Sequence, residues 1–547
     1  MLSFFALIVA MFITMMLIPP LMRSAERFSF VDMPDARKVH STPVPRIGGV
    51  AMVAGAVTPI LLWMDPSQDV RGLLYGIALI LFFGVWDDRA TLDYRVKFIG
   101  QLLAIGVVVF YGGVVIRFIP FHSFEPIPDY VAYPLTIFAL LGVTNAINLS
   151  DGLDGLAAGT TFLSVGMISL LAYMVQDYSM FMLAMALLGC IIGFLRFNTH
   201  PAQIFMGDGG SQFLGFAAGV LIIQLTQKSG TILSPAMPLL LLGLPLIDTF
   251  LVMGQRLAEG RSPFRPDKNH LHHKLMALGF DHYEAVVVIY SLQTLLVTLA
   301  YLLCYRSDLA SVAVFLAALI GLGLFFPLAK RMGWAVRQER SIHAPSAITR
   351  FAGQLKSSGL MGKVPVLLAA VSIPIYACMA IALTDSFPSD AALTVYVLCG
   401  ATLGLLLLRR NHPNYALIER LLLYVAVTTV VFYWGRVQGD SVWLHRFENL
   451  YFGSLGILLV MAYRFTRNRK FSVTPTDFLI IFIALVVPTV SSSLFTQNNI
   501  TEVAIKVLIL FYAVELIVPQ AVGRMWILRM VVASAMSLLA VRVAMVM

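Results

Sequence analysis

Hydrophobic positions in this chain come in unbroken runs separated by short polar breaks, with neither strict alternation nor a one-face helical stripe. Runs of about 20 residues are long enough to cross a hydrocarbon core of roughly 30 Å as helices. A membrane barrel would alternate over segments of about ten residues, so the pattern excludes that class. Eighteen runs can be delimited, and the first eleven cover 2–21, 47–64, 70–86, 98–116, 130–146, 157–175, 179–195, 212–226, 234–254, 283–304 and 309–329. After a long basic stretch come 364–383, 389–408, 416–435, 450–463, 476–494, 502–518 and 523–546. The expected fold class is therefore all-α, a polytopic integral-membrane helical bundle of about 18 transmembrane helices. It divides into a membrane domain over 1–330, a cytoplasmic basic loop over 331–363 and a C-terminal membrane region over 364–547. The first run has no basic segment before it and no small-residue cleavage site after it, which makes it a span and not a removable signal.

Composition supports the same class. Of the 547 residues, 59% are hydrophobic and 12% charged, against about 25% charged in an ordinary soluble domain. The net charge of +9 belongs to membrane topology, and no nucleic-acid partner is expected. Assigning alternate connections to opposite sides puts 30 of the 38 Lys and Arg residues on one side. Basic loops collect in the cytoplasm, so the N-terminus is expected outside. The four cysteines, Cys190, Cys304, Cys378 and Cys399, form no CxxC pair and read as ordinary apolar helix residues.

The polar chemistry falls on the basic side. Asp32 to His40, Asp87-Asp88, Asn145 to Asp154, Gly207 to Ser211 and Arg256 to His273 occupy five successive connections there. Such convergence describes a site at the membrane surface; a carrier would be expected to hold its acids at mid-membrane. Asp87 and Asp88 repel one another unless a cation or proton intervenes, so one can hold metal or act as a base while the other tunes it; a solvated helix end is the plain alternative. In Asn145-Ala-Ile-Asn148-Leu-Ser-Asp151-Gly-Leu-Asp154-Gly the polar residues recur every third position beside glycines that admit close approach, which suits a hard cation or a nucleotide. Gly207-Asp208-Gly-Gly-Ser211 stands just before a helix, whose N–H groups favour an anion while the carboxylate favours a cation. Phosphate-bound magnesium meets both demands, although an ordinary loop has the same look. The segment from Arg256 through Arg265 and Lys268 to His270-Leu-His272-His273-Lys274 lacks a partner acid or cysteine for zinc and suits a pyrophosphate better. Asp248, near the end of the ninth run, is either functional or a packing residue. Together these residues imply a cytosol-facing enzyme that binds a nucleotide-linked phosphate through Mg²⁺ and uses a lipid acceptor.

Residues 1 to about 330 resemble the polyprenyl-phosphate N-acetylhexosamine-1-phosphate transferases of the WecA/MraY superfamily, glycosyltransferase family 4. The matching pieces are DMPDARKVHSTPVPRIGG from Asp32, WDDRATLDYRVKF from Trp86, NAINLSDGLDGLAAG from Asn145, FMGDGGSQFLG from Phe205 and LPLIDTFLVMGQRLAEGRSPFRPDKNHLHH from Leu244. His-x-His-His after SPFRPD is similar to the WecA-like branch, not the phospho-MurNAc-pentapeptide transferases, whose three histidines are consecutive.

The resemblance implies transfer of N-acetylhexosamine-1-phosphate, GlcNAc-1-phosphate above all, from a UDP-sugar to undecaprenyl phosphate, with release of UMP and initiation of a cell-envelope glycan. It implies Mg²⁺, with Mn²⁺ as a substitute, held by Asn148 and Asp208. Asp87, Asp88, Lys97, His270, His272 and His273 would be catalytic; Asn145, Asp151, Asp154, Arg265, Lys38 and Arg46 would bind substrate. The expected setting is the bacterial inner membrane, multi-pass, with a cytoplasmic active site. A homodimer and downstream glycan-assembly enzymes are candidate partners beside the UDP-sugar, the lipid and the bilayer. The alternatives are a non-catalytic carrier or scaffold that retains the transferase framework, or the pentapeptide branch. No motif is recognised beyond residue 331, where Glu515 is the only obvious acid deep in a span. That region is either a membrane appendage or a second activity on the lipid-linked product.

Overall fold

A computed structural model describes residues 2–336 except 29, 33–42, 66, 91, 123–124, 228–232, 262–268 and 306–307, and beyond them chiefly 360–382 and 442–465 with scattered positions. Lys38 and Arg265 lie outside the described residues, as does most of the five runs expected at 389–408, 416–435, 476–494, 502–518 and 523–546. Contacts divide the chain into two compact units, one built on Met1–Arg340 and the other within 341–547.

The first unit is helical throughout its membrane portion. In order come α1 (Leu2–Ala25), α2 (Gly48–Trp63), α3 (Gln68–Ala90) and α4 (Tyr94–Gly106), which continues as a π-helical turn over Val107–Tyr111. Then follow α5 (Asp129–Leu149), α6 (Leu156–Met174), α7 (Tyr178–Asn198), α8 (Gly207–Gln227), α9 (Pro238–Leu241) and α10 (Gly243–Ala258). The unit closes with α11 (Leu271–Ala277), α12 (His282–Leu303) and α13 (Asp308–Arg331). Among the described residues, nine helices are long and apolar enough to cross a membrane. The protein is thus an all-α, multi-pass membrane protein. Among the described residues one ladder pairs β1 (Val31–Asp32) with β2 (Val44–Pro45), antiparallel.

Helices α6, α7 and α8 form the buried centre, with small residues and large apolar ones filling all sides. A helix apolar on every face is stable only when surrounded, by lipid or by other helices. Around this trio α1 packs on α7, and α3 and α5 pack on α8. The starts of α7 and α12 are fixed by side chains. Asp177 accepts from the Met180 N–H at 3.1 Å to open α7, and Asp281 with Glu284 forms a reciprocal capping box at α12.

The ninth run departs from expectation, because the 234–254 span is two helices broken at Leu242. Pro245 has no N–H to give the Leu241 carbonyl, so the ladder fails there. The amide of Gln293, fully buried on α12, fills the break: its Nε2 donates to Leu241 O at 2.8 Å and its Oε1 accepts from Leu244 N at 3.0 Å. The same Nε2 reaches Ser164 Oγ on α6 at 3.0 Å.

In the second unit, Leu360–Ala382 and Val442–Phe465 are helical and pack together. The second of these begins well before the run expected from 450, which brings Glu448 inside it. Glu448 is buried, accepting from Tyr376 Oη at 2.7 Å and pairing with Lys506 Nζ at 2.6 Å.

Candidate active site

The site is assembled at helix ends. Asp87 and Asp88 stand in the last turn of α3, Lys97 in the first turn of α4, Asn145 and Asn148 in the last turns of α5, and Asp208 in the first turn of α8. Lys97 Nζ lies 2.5 Å from Asp87 Oδ2 and 3.0 Å from Asp208 Oδ2, so one ammonium joins two helices through their acids. Asn148 Nδ2 donates to Asp208 Oδ1 at 3.1 Å and to Ser211 Oγ at 2.7 Å. Asn145 does not reach Asp208; its Nδ2 donates to Gln101 Oε1 at 2.9 Å, and Gln101 donates in turn to Gln212 at 3.0 Å.

The start of α8 corrects one sequence expectation. Asp208 lies inside the helix and not before it, and the anion at its N-terminus belongs to the protein. Asp88 accepts from Asp208 N at 2.8 Å and from Gly209 N at 3.1 Å, satisfying two N–H groups that a helix start leaves open. Gly207 permits this, with φ +71°; a Cβ there would lie 2.3 Å from the Asp88 carboxylate. The loop is also held from the side, where Phe205 N donates to Pro45 O, and Gly48 N and Gly49 N donate to Phe205 O and Met206 O. Arg46, beside this strip, pairs with Asp32 at 3.3 Å and its charge reaches Asp151.

Burial first, and then the nearby Asp208 carboxylate, pushes Asp151 up to about 7. Asp87 and Asp208 share a single lysine, with Asp88 bound to the backbone of Asp208 beside them, so carboxylates outnumber the cation and oxygen donors of the kind a hard cation such as Mg²⁺ takes are gathered here. The residues present therefore fit a magnesium ion.

A second group lies beside the first. Asp248 of α10 accepts from Leu271 N at 2.7 Å and faces His270 Nδ1 at 2.9 Å, which fixes the start of α11. Asp248 and His270 are both buried. His272 is buried against Gly152, where a Cβ would meet its Nε2 at 2.2 Å, and the His272 and His273 rings touch with centroids 4.2 Å apart. Burial, reinforced by His273, lowers the His272 pKa to about 3, so this histidine acts as a neutral ring. The histidine segment thus reaches the Asp151–Gly155 loop. Asp154 turns elsewhere, with Oδ2 lying 2.6 Å from His200 Nδ1 and accepting from Ala202 N at 3.0 Å.

Comparison with known proteins places this arrangement. A model of glycosyl transferase family 4 matches residues 70–226. A probable undecaprenyl-phosphate N-acetylglucosaminyl 1-phosphate transferase of Bacillus subtilis strain 168 is 36% identical over 288 residues, which are 52% of this chain and 80% of the relative. The chain belongs to glycosyl transferase family 4. A decaprenyl-phosphate N-acetylglucosaminephosphotransferase of Mycolicibacterium smegmatis is 36% identical over 297 residues, 49% of this chain and 73% of the relative. The undecaprenyl-phosphate alpha-N-acetylglucosaminyl 1-phosphate transferase of Escherichia coli K12 is 30% identical over 291 residues, 51% and 78% of the two chains.

The family match includes Asp87, Asp88, Lys97, Asn145, Asn148, Asp151, Asp154 and Asp208, and the histidine segment lies beyond it. Several residues of this family 4 site were not singled out in the sequence. Gln101 and Gln212 are common polar residues inside apolar runs, and only the packing of α4, α5 and α8 links them to Asn145. His200 and His282 stand alone in sequence and meet only in the fold.

Proposed function

We propose that this protein transfers GlcNAc-1-phosphate from UDP-GlcNAc to undecaprenyl phosphate at the cytoplasmic face of the bacterial inner membrane, releasing UMP. The reading is carried by one observation: Lys97 and Asn148 converge on Asp208 at helix ends, in a chain 36% identical to a probable transferase of that kind. In the reaction a lipid phosphate oxygen attacks the β-phosphorus of the donor, the bond to the α-phosphate oxygen breaks, and UMP leaves. One phosphoanhydride replaces another, so catalysis rests on positioning and on charge.

Asp208 and Asn148 are the residues we assign to Mg²⁺, with Asp87 close by through the shared lysine; the ion supplies charge neutralisation for the phosphates when bound. Lys97 carries positive charge to the same place and is held there by Asp87. We assign Asp87, paired with Lys97, to the lipid phosphate. Asp88, with both oxygens on backbone N–H groups, acts by holding the start of α8, and hence Asp208. Asn145, Asp151, Arg46, Lys38 and Arg265 are assigned to the donor side, Asp154 to shaping the loop that carries Asp151, and His270 and His273 to the donor's pyrophosphate. His272, neutral, serves as a packing ring against Gly152.

The test is release of UMP from UDP-GlcNAc with undecaprenyl phosphate and Mg²⁺, set against a panel of other UDP-sugars. Asp208→Ala is expected to reduce turnover by at least roughly 10²–10³-fold, the loss seen when a main electrostatic group is removed, while the protein still inserts in the membrane. Near-normal transfer by this variant would overturn the metal assignment. Absence of release with every sugar would favour the carrier or scaffold reading.

A further inference from the structure

Asp154, His200 and His282 come from three separate places: the loop before α6, the loop after α7 and the first residue of α12. The fold brings them together, so that one potential ligand atom from each lies within 4.8 Å of the others. Two of the three are already tied down. Asp154 holds His200 Nδ1 and Ala202 N on one oxygen, and the His200 carbonyl accepts from Tyr283 Oη at 2.9 Å. The His200 and His282 rings stack, with centroids 4.0 Å apart and planes 23° from parallel.

His282 is the anomaly. Its side chain is 9% exposed, and neither ring nitrogen, though buried, has a hydrogen-bond partner. In any tautomer a neutral imidazole carries one donor and one acceptor, and a buried polar atom left alone is costly. Such groups in folded proteins are met by protein, water or an ion. Here the neighbouring groups are another imidazole, the Asp154 carboxylate and the Asp154 backbone, which lies near without closing a hydrogen bond of normal geometry. Two ring nitrogens with one carboxylate oxygen form the donor set of borderline divalent metals; hard cations such as Mg²⁺ prefer oxygen alone.

We propose that Asp154, His200 and His282 bind one borderline divalent cation of the zinc class, at a site distinct from the carboxylate cluster around Asp208. Stacked rings keep their nitrogen lone pairs in nearly parallel planes, so one ring turns about its Cβ–Cγ bond for both to face one cation. His282 is the ring that turns, since no hydrogen bond holds it. The bound cation ties the Asp151–Gly155 loop to the start of α12 and to the turn at His200. Its effect is to brace a loop at the active site from behind, with no part in the chemical step.

The experiment uses the full-length protein, cleaved from any histidine tag, stripped with chelator and then titrated with Zn²⁺ or Co²⁺ under saturating Mg²⁺. One equivalent is expected to bind in the face of the Mg²⁺ excess, to raise the thermal unfolding midpoint, and to give Co²⁺ an absorption spectrum of nitrogen ligation. His282→Gln and His200→Gln should each weaken binding at least tenfold, and His273→Gln should leave it unchanged. Failure of the unsubstituted protein to bind either ion under these conditions would overturn the proposal without recourse to any variant. So would loss of the ion in His273→Gln with its retention in His282→Gln, which would assign the metal to the histidine segment of α11. If one of the two ligand variants does not yield monodisperse protein, the other decides.

Discussion

Asp88 and Gly207 act as a unit: the carboxylate can reach the Asp208 and Gly209 N–H groups only because the residue before them has no side chain. Gly207→Ala adds a Cβ that meets that carboxylate in a backbone conformation costing a non-glycine residue roughly 1–2 kcal/mol. The expected outcome is a lower thermal midpoint in detergent together with a fall in kcat, and an unchanged kcat would show that Asp88 does not govern where Asp208 sits. A second residue-scale expectation concerns pH. The His272 pKa falls from 6.5 to about 3 on folding, so the unfolded chain binds more protons than the native one between these values. Stability from this residue is complete above pH 6.5 and is lost as pH falls toward 3. His272→Gln should flatten the dependence of the unfolding midpoint on pH within that window, and an unaltered slope would place the acid sensitivity elsewhere. The acids and asparagines of the site were legible in sequence because polar residues at regular spacing beside glycine stand out in an apolar chain. Single residues were not: His200 and His282 carry no local pattern, and nothing in the sequence shows that they stack.

At the scale of elements, apolar length predicts the long helices of the first unit to within about five residues, since burial in lipid requires little more than length and hydrophobicity, while the short α11 lies outside every apolar run. The same reasoning passed over the break at Leu242, because the apolar run continues across it. The signal was present in Pro238, Gly243 and Pro245, whose backbone effects outweigh hydrophobicity there. The hydrophobic pattern puts the start of α8 five residues late for a related reason, since a stretch rich in glycine and polar residues reads as a loop, and its cap, Asp88, comes from another helix. Gln293 carries the repair of the broken helix. Gln293→Leu keeps similar bulk but strands the Leu241 carbonyl and the Leu244 N–H, each worth about 1–3 kcal/mol when buried unsatisfied. A marked drop in unfolding midpoint in nanodiscs is expected, with a smaller loss in Gln293→Glu, which keeps the acceptor for Leu244. Equal stability of Gln293→Leu and the unsubstituted protein would mean that the break is satisfied in another way.

For the molecule as a whole, charged and polar groups are scarce and are spent in few places. In the first unit the acids, asparagines and lysine of the site share one set of helix ends, while pairs such as Arg117–Asp129 and Gln224–Asp69 stand at the other; in the second, Glu448, Lys506 and Tyr376 form a buried network whose acid lies ahead of the apolar run that begins at 450. Ionisable residues at such depth are rarely idle. The division between membrane and site was visible in composition, and the pairing of acids across helices required the fold. Because the cluster around Asp208 sits where α3, α5 and α8 end, one substrate would arrive from water and the other by diffusion along the leaflet. For the proposed reaction, the effective concentration of acceptor is then a surface density, not a bulk molarity. Adding inert lipid or detergent at constant total undecaprenyl phosphate should slow turnover in proportion to its mole fraction, while the dependence on UDP-GlcNAc stays put. A rate that followed only bulk lipid concentration would mean that the acceptor reaches these helix ends from the aqueous side.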